Sequence, residues 1–235
     1  MLVIAHRGAC RRAAENTVAA FRIAIELGAD GVEFDVRRSL DGVLVIHHDA
    51  SIDGVGPIVE HTFASLRALR PAIPTLAETL DVVGAMTLIN IEMKCCAWEP
   101  DADADGVVAR GVANEIAARG LHANAVVSSF DLVAVDQVHA LDPAIETGWL
   151  VQGVDPAVAV ATAQDHGHGW LHPDWGNLHL RLASSVEAAG RYGIRLDTWT
   201  VDDPAVLREF AAAGVEAAIT NVPEIGLAAT RPSVD

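Results

Sequence analysis

The sequence predicts an α/β fold, a TIM-type (β/α)8 barrel with a β-hairpin arm after strand 2, from three observations. Apolar strand-like runs alternate with helix-like segments along the 235 residues. Most helix-like segments stop at a glycine, namely Gly28, Gly120, Gly193 and Gly214. Short polar clusters stand at the ends of the strand-like runs rather than inside them. Such alternation builds parallel βα units, a terminal glycine supplies the left-handed helix cap, and strand ends are where a barrel opens to solvent. The composition, 51% hydrophobic but only 5% aromatic, favours helices packed on β-branched strands over a sandwich or a disordered chain.

Strand-like runs occupy residues 2–5, 31–36, 44–47, 87–93, 125–130, 147–151, 170–172, 195–201 and 217–220. Nine is one more than an eight-stranded barrel holds. The surplus lies early, where residues 37–42 alone separate the second run from the third, too few for a parallel crossover of a dozen residues. These two runs are therefore antiparallel, with Asp41-Gly42 as the turn pair, a register that sets His48 opposite Asp35, or still near Glu33 if the turn shifts by one residue. Eight parallel strands remain. Helices are expected over 17–27, 76–83, 103–119, 131–140, 156–165, 180–192 and 204–213, with Asp155-Pro156 and Asp203-Pro204 reading as N-cap followed by N1 proline. One barrel domain over 1–226 and a C-terminal tail over 227–235 complete the reading.

The net charge of −16, with no basic cluster larger than Arg11-Arg12 or Arg37-Arg38, argues against nucleic acid and anionic lipid as partners. No apolar run approaches the ~20 residues that cross a bilayer, so no stable membrane anchoring is expected. The opening residues 1–5 are too short and lack the basic leader of a secretory signal. Cys10 and the adjacent Cys95-Cys96 read as reduced thiols, which places the protein in the cytoplasm. A homo-oligomer stays open.

Four clusters carry the candidate chemistry: His6-Arg7-Gly8, Glu33-x-Asp35, His48-Asp49 and Glu92-x-Lys94. Glu33 and Asp35 alternate with Val32 and Phe34, so both carboxylates share one strand face. Acids on an inner face require a counter-charge, as does Glu92 at the end of its apolar run. Three carboxylates with water form a hard oxygen site suited to Mg²⁺ or Ca²⁺. His6 and His48 suit paired general acid and base roles. Lys94 is the single lysine among sixteen basic residues, all the others being arginine. An overall charge that repels phosphate requires a local positive source such as a bound divalent cation, an Arg or a Lys.

Other features read more plainly. Glu15-Asn16-Thr17 is a helix cap signal; Trp199-Thr200 is either core packing or an aromatic wall for a substrate. His172, Ser129 and Glu78 are weaker candidates. His122, His139, His166, His168 and His179 read as surface residues without acidic partners, Cys95-Cys96 as rim packing, and the acidic stretch 95–106 as a solvated turn.

Taken together in order, His6-Arg7-Gly8, Glu15-Asn16-Thr17, Glu33-x-Asp35, Asp41-Gly42, His48-Asp49, Pro74-Thr75-Leu76, Glu92-x-Lys94, Ser129-Phe130, Trp199-Thr200-Val201 and Thr220-x-x-Pro223 resemble the glycerophosphodiester phosphodiesterase family, a phospholipase C-like barrel. The resemblance spans residues 2 to about 225. It implies metal-dependent hydrolysis of a glycerophosphodiester to glycerol 3-phosphate and an alcohol. Glu33, Asp35 and Glu92 would be metal ligands, His6 and His48 acid and base; Arg7, Lys94 and Trp199 would bind substrate. A lysophospholipase D-like activity and a non-catalytic barrel that binds phosphorylated metabolites are the alternatives. Asn221 replaces the aspartate usual after this threonine, Ser39 the threonine common before Asp-Gly, and Ser128 the glutamine or histidine that often precedes Ser-Phe. More telling, residues 50–61 are short and lack the usual pattern after His-Asp.

Overall fold

Eight parallel strands close on themselves in the computed structural model, which describes residues 1–231. The barrel strands are β1 (Leu2–His6), β2 (Gly31–Arg38), β6 (Leu88–Met93), β7 (Ala125–Ser129), β8 (Glu146–Val151), β9 (Trp170–Pro173), β10 (Arg195–Thr198) and β11 (Ala217–Thr220). β11 pairs with β1, and β1 with β2, which completes the ring. Around it run α1 (Val18–Glu26), α3 (Leu76–Val83), α4 (Val107–Arg119), α5 (Leu132–Leu141), α6 (Pro156–Asp165), α8 (Leu182–Tyr192), α9 (Pro204–Ala213) and α10 (Pro223–Thr230). The arm β3 (Leu44–Ile46) lies antiparallel on β2.

Strand alternation sorts the core into an outer layer and an inner plug. Val32, Phe34, Val36, Ile89, Ile91 and Met93 face outward and pack with Phe21 of α1, Leu80 of α3 and Ile116 of α4. A second outer cluster, with Leu171, Leu196 and Phe210, does the same for the other half. Inside, Ile4, Leu88, Val126, Trp170, Ala217 and Ile219 fill the barrel. Burying one such side chain contributes about 1.5–3 kcal/mol. With Phe34 and Ile91 committed outward, their neighbours Glu33, Asp35 and Glu92 must face inward, at the ends where the plug stops.

The hairpin register differs from expectation by one residue. His47, not His48, stands opposite Asp35 and donates its N–H to the Asp35 carbonyl at 3.0 Å. Asp41-Gly42 is not a two-residue turn: the Ser39 N–H donates to Val43 O, leaving a three-residue loop with Gly42 at φ 81°. The Ser39 hydroxyl donates to the Asp41 carboxylate at 2.7 Å and holds this longer loop.

Residues 51–69 add elements absent from the expectation: a small hairpin of β4 (Ser51–Ile52) and β5 (Gly56–Pro57), a 3-10 turn at Ile58–Glu60, and α2 (Phe63–Leu69). The expected helix over 180–192 is α8, and a further helix not expected, α7 (Trp175–Leu180) capped by Asp174, precedes it with Arg181 between them. α10 continues past residue 226 to Thr230, where the tail was expected, and Arg231 anchors to Asp30 at 2.8 Å. Residues 232–235 lie outside the described residues. Among the described residues no helix is long and apolar enough to cross a membrane.

Candidate active site

Register brings the clusters together. His6 on β1 pairs laterally with Glu33 on β2, and Asp35 on β2 with Glu92 on β6. One carboxylate oxygen from each of Glu33, Asp35 and Glu92 lies within 4.8 Å of the other two. Glu33 and Asp35 are 1% and 0% exposed, and Glu33 Oε1 and Asp35 Oδ1 have no hydrogen bond. Buried, unbonded carboxylate oxygens converging on one point are a chemistry that a hard divalent cation satisfies. The residues present therefore fit such an ion, with Glu33, Asp35 and Glu92 as its holders.

Two permanent cations border the acids. Lys94 Nζ donates to Glu92 Oε1 and stands 3.2 Å from Asp35 Oδ1. Arg7 Nε lies 3.2 Å from Asp35 Oδ2, and its Nη1 donates to Glu15 at 2.9 Å. Burial pushes the Glu33 carboxyl well above its ordinary range, helped by the charges on Asp35 and Glu92. Burial likewise raises Glu92 despite the ammonium beside it. Asp35 goes the other way: burial would raise it, but Lys94 and Arg7 together hold it below its usual value. When all three carboxylates are ionised they outnumber Lys94 and Arg7 by one charge. A divalent ion reverses that sign, and a singly charged phosphodiester is then attracted rather than repelled.

Both imidazoles offer a free Nε2. The Asn221 amide donates through Nδ2 to Asp202 at 2.8 Å, so its Oδ1 faces His6 and accepts from His6 Nδ1 at 2.7 Å. His6 Nε2 lies 3.9 Å from Glu33 Oε2. His48 Nδ1 donates to the Asp49 carboxylate at 2.7 Å. Burial lowers both histidines, with Arg7 adding to the effect at His6 and Lys94 at His48. Neutral imidazoles at neutral pH result.

The backbone has unusual geometry here. Arg7 takes φ 52° and Asn16 φ 56°, left-handed values that cost a non-glycine residue roughly 1 kcal/mol or more each. In return the Arg7 N–H reaches Glu33 Oε2 at 3.0 Å and the Asn16 amide donates to Asp35 Oδ2 at 2.7 Å. Gly8 takes φ 77°, and a Cβ there would stand 2.8 Å from the Ala20 backbone, so its smallness lets α1 approach.

A cavity of 230 Å³ opens on these groups, lined also by Phe130, Gln152, Trp199 and Thr200. The Trp199 indole N–H donates to the His172 carbonyl at 2.9 Å, and its ring meets Phe130 edge-on at 5.3 Å, so one residue is both packed and wall-forming. A larger cleft of 380 Å³ beside Cys95, Ala97 and Asp131 gathers no converging set of catalytic groups.

The weaker candidates fall elsewhere. His172 is sealed in the barrel interior. Ser129 donates to the Met93 carbonyl at 2.9 Å. Glu78 closes a capping box with Thr75 and pairs with Arg67, whose guanidinium draws its carboxyl down to about 2. Cys95 and Cys96 are buried, and burial pushes the Cys95 thiol up to about 12.

Three expectations are corrected. Residues 95–106 are not a solvated turn: Asp101, 3% exposed, accepts twice from Arg37 Nη1, at 2.7 and 2.9 Å. The same Arg37 donates through Nε to the His48 carbonyl at 2.8 Å, so this buried pair positions the return of the hairpin. The second correction concerns the histidines read as surface and unpaired. His122 meets Asp142, His179 meets Glu209, and Asp136 meets both His166 and the fully buried His168. Those partners lie 20 to 32 residues away, a separation that helix-face spacing does not reveal. The third is Glu15-Asn16-Thr17, more than a cap: Thr17 caps α1, while Glu15 and Asn16 contact Arg7 and Asp35. Asn221, Asp202 and Arg37 were also missed as neighbours of the site. Only the unusual Asn221 left a trace in the sequence.

An acid cradle able to hold a cation, two free imidazole nitrogens and two fixed cations, gathered at the open end of a parallel barrel, define a phosphoric ester hydrolase. The glycerophosphoryl diester phosphodiesterase family model matches residues 6–225. A glycerophosphodiester phosphodiesterase of Caldanaerobacter subterraneus subsp. tengcongensis is 32% identical, over 95% of this chain and 95% of its own. The crystal structure of the Thermotoga maritima glycerophosphodiester phosphodiesterase superposes with a TM-score of 0.80 at 29% identity, covering 97% of each chain. An Oleispira antarctica phosphodiesterase, solved with the product sn-glycerol-3-phosphate, superposes at 0.82 with 25% identity, over 97% of this chain and 96% of that one. The chain belongs to the glycerophosphoryl diester phosphodiesterase family, and its activity is that of a phosphoric diester hydrolase.

Proposed function

We propose that this protein hydrolyses a small glycerophosphodiester to glycerol 3-phosphate and an alcohol, with His6 and His48 as the proton-transfer pair and Mg²⁺ or Ca²⁺ at Glu33, Asp35 and Glu92. The observation that carries this reading is the buried carboxylate triad facing two neutral imidazoles and two cations in one cavity. The ion, when bound, supplies positive charge to a phosphate oxygen and lowers the pKa of an adjacent hydroxyl or water. Arg7 and Lys94 compensate charge on the other phosphate oxygens, a contribution worth a few kcal/mol per donor. Trp199 flanks the alcohol portion.

The two histidines divide the labour through their partners. Burial lowers His48, but Asp49, an ionised carboxylate held low by its bond to His48, partly offsets that effect, so of the two neutral imidazoles His48 is the better placed to carry a proton to the leaving alcohol as general acid. His6 leans on a neutral amide and lies beside Arg7, which suits the general base: Nε2 takes the nucleophile's proton while Nδ1–H stays on Asn221.

A cavity of 230 Å³ accommodates a glycerol phosphate and a compact headgroup rather than an acyl chain. The apolar residues 52–59 offer no ramp for one either. Ile52 and Ile58 are buried in a small core with Val45, Leu66 and Ile73, against which Val55 packs. The lysophospholipase D-like alternative therefore lacks support, and the intact set of ionisable groups favours catalysis over passive binding. The unpaired cysteines support a cytoplasmic setting, and the charge of −16 supports a small-molecule rather than a nucleic-acid partner.

Incubation with glycerophosphocholine and Mg²⁺ or Ca²⁺ is expected to release glycerol 3-phosphate, chelation to stop it, and His6→Ala to abolish it without unfolding the chain. Inertness toward several headgroups with either ion would overturn the assignment.

A further inference from the structure

A second group of ligating side chains assembles at the opposite end of the barrel. Asp136 projects from α5, and His166 and His168 come from the loop between α6 and β9, which precedes its strand and so lies on the face remote from the mouth. His166 Nδ1 is 3.0 Å from each Asp136 oxygen, and His168 Nε2 is 3.1 Å from Oδ1. The two imidazoles stack with centroids 6.0 Å apart, and His139, one turn along α5 from Asp136, meets His168 edge-on at 6.1 Å. Gly167, between the two loop histidines, has φ 82°, and a Cβ there would stand 2.9 Å from His139 Nε2. A side chain at that position would disturb the cluster.

His168 supplies the second observation. Its side chain is 0% exposed, and Nδ1 lies 2.9 Å from the Thr147 hydroxyl. Nε2 has no hydrogen bond: it points at the Asp136 carboxylate but off the line that a shared proton requires. A buried nitrogen aimed at an anionic oxygen without an aligned proton is an unsatisfied group. A cation between them satisfies both. When Thr147 accepts from Nδ1–H, Nε2 carries the lone pair, the outer hydrogen bond that metal-bound imidazoles characteristically make. Burial also keeps this imidazole neutral.

We propose that Asp136, His166 and His168 form a second metal site, for a borderline transition ion of the Zn²⁺ type, with His139 or water available as the fourth ligand. Two imidazole nitrogens and one carboxylate oxygen select such an ion over Mg²⁺ or Ca²⁺, which take oxygen sets. Tetrahedral ligands about 2 Å from zinc stand about 3.3 Å from one another. The two histidine–Asp136 separations need to open by only a few tenths of an ångström, and all three ligand atoms already lie within 4.8 Å of one another. The site joins α5 to the α6–β9 loop and so serves stability at the closed end of the barrel, not the reaction at the mouth.

The test uses full-length protein without a histidine tag, in excess Mg²⁺ to occupy the carboxylate triad. Co²⁺ titration of the wild type is expected to show one equivalent bound with the visible absorption of a low-coordinate, nitrogen-ligated ion, and Zn²⁺ to raise the Tm. His166→Ala, at an exposed position, and Asp136→Asn should weaken binding about 100-fold or more and lose both signals, while keeping the Mg²⁺-supported diesterase rate. Thr147→Val should weaken it about 10-fold. Equal uptake and identical spectra in wild type and both ligand variants, or no uptake by the wild type at millimolar Co²⁺, would overturn the proposal.

Discussion

Asp35 and Asp197 are both 0% exposed on strands of the same barrel, yet their carboxyls behave oppositely. Asp35 has Lys94 and Arg7 each at 3.2 Å and the Asn16 amide at 2.7 Å, and its pKa lies below the usual value. Asp197 has one titratable neighbour, His172, whose Nδ1 is 3.5 Å from Oδ2, and neither of its oxygens is hydrogen-bonded. Burial pushes Asp197 up to about 8 and His172 down to about 3. Depth alone thus empties a side chain of charge, and neighbours restore it. A cation site needs buried carboxylates that stay ionised. Asp35 keeps its charge because Lys94 and Arg7 both reach it.

The strongest way to break that comparison is to remove the cation. Lys94→Met keeps the apolar stem but takes away the charge that opposes burial at Asp35 and Glu92. The expected result is a loss of about 10²–10³-fold in kcat, measured with saturating Mg²⁺ and substrate. A near wild-type rate would show that Arg7 and the bound ion suffice.

A second test acts on the interior pair and reads stability. Asp197, with an unfolded-state pKa of 3.8 and a folded value of about 8, retains its proton on folding. Its contribution is fully present below pH 3.8 and is lost as pH rises toward 8. His172, at 6.5 unfolded and about 3 folded, contributes the opposite slope between those values. The two cancel between pH 3.8 and 6.5, which leaves a net fall in stability from 6.5 to about 8, of about 1.4 kcal/mol per unit. Asp197→Asn should flatten that fall by about 1.4 kcal/mol per unit relative to the wild type in denaturant melts across this range. Identical slopes in the two proteins would mean the aspartate is already ionised.

The smallest effect sharpens the same rule at the histidines. Asn221→Asp gives His6 a carboxylate partner like the one His48 already has, so the His6 pKa should rise by about one unit. A base must be neutral to act. The acid limb of the kcat/KM profile should therefore move to higher pH, with a few-fold lower rate near pH 6 and little change above pH 8. An unmoved acid limb would remove His6 from the role of base.

Much of this was legible in the linear chain because strand alternation is local. Once Val32, Phe34 and Ile91 are recognised as core, Glu33, Asp35 and Glu92 have one face left to occupy. The length of the 37–42 connection likewise forced an antiparallel arm. The exact register of that arm was not legible, because Ser39 and Asp41 hold a three-residue loop where the Asp-Gly pair suggested two. Nor were Asn16, Arg37, Asp202 and Asp101 recognisable as supports, since their roles rest on partners tens of residues away. The histidines at 166 and 168 were misread for the same reason.

The sequence by itself determined the repeating βα frame, the inward face of the three acids and the kinds of groups at the mouth, because periodicity and residue chemistry act over a few positions. Tertiary structure alone decided which buried acids stay charged, which nitrogen of His6 and of His48 is left free, and that Asp136 meets two imidazoles. Charge and hydrogen bonding act through a few ångströms of space, and folding sets those distances between residues far apart along the chain.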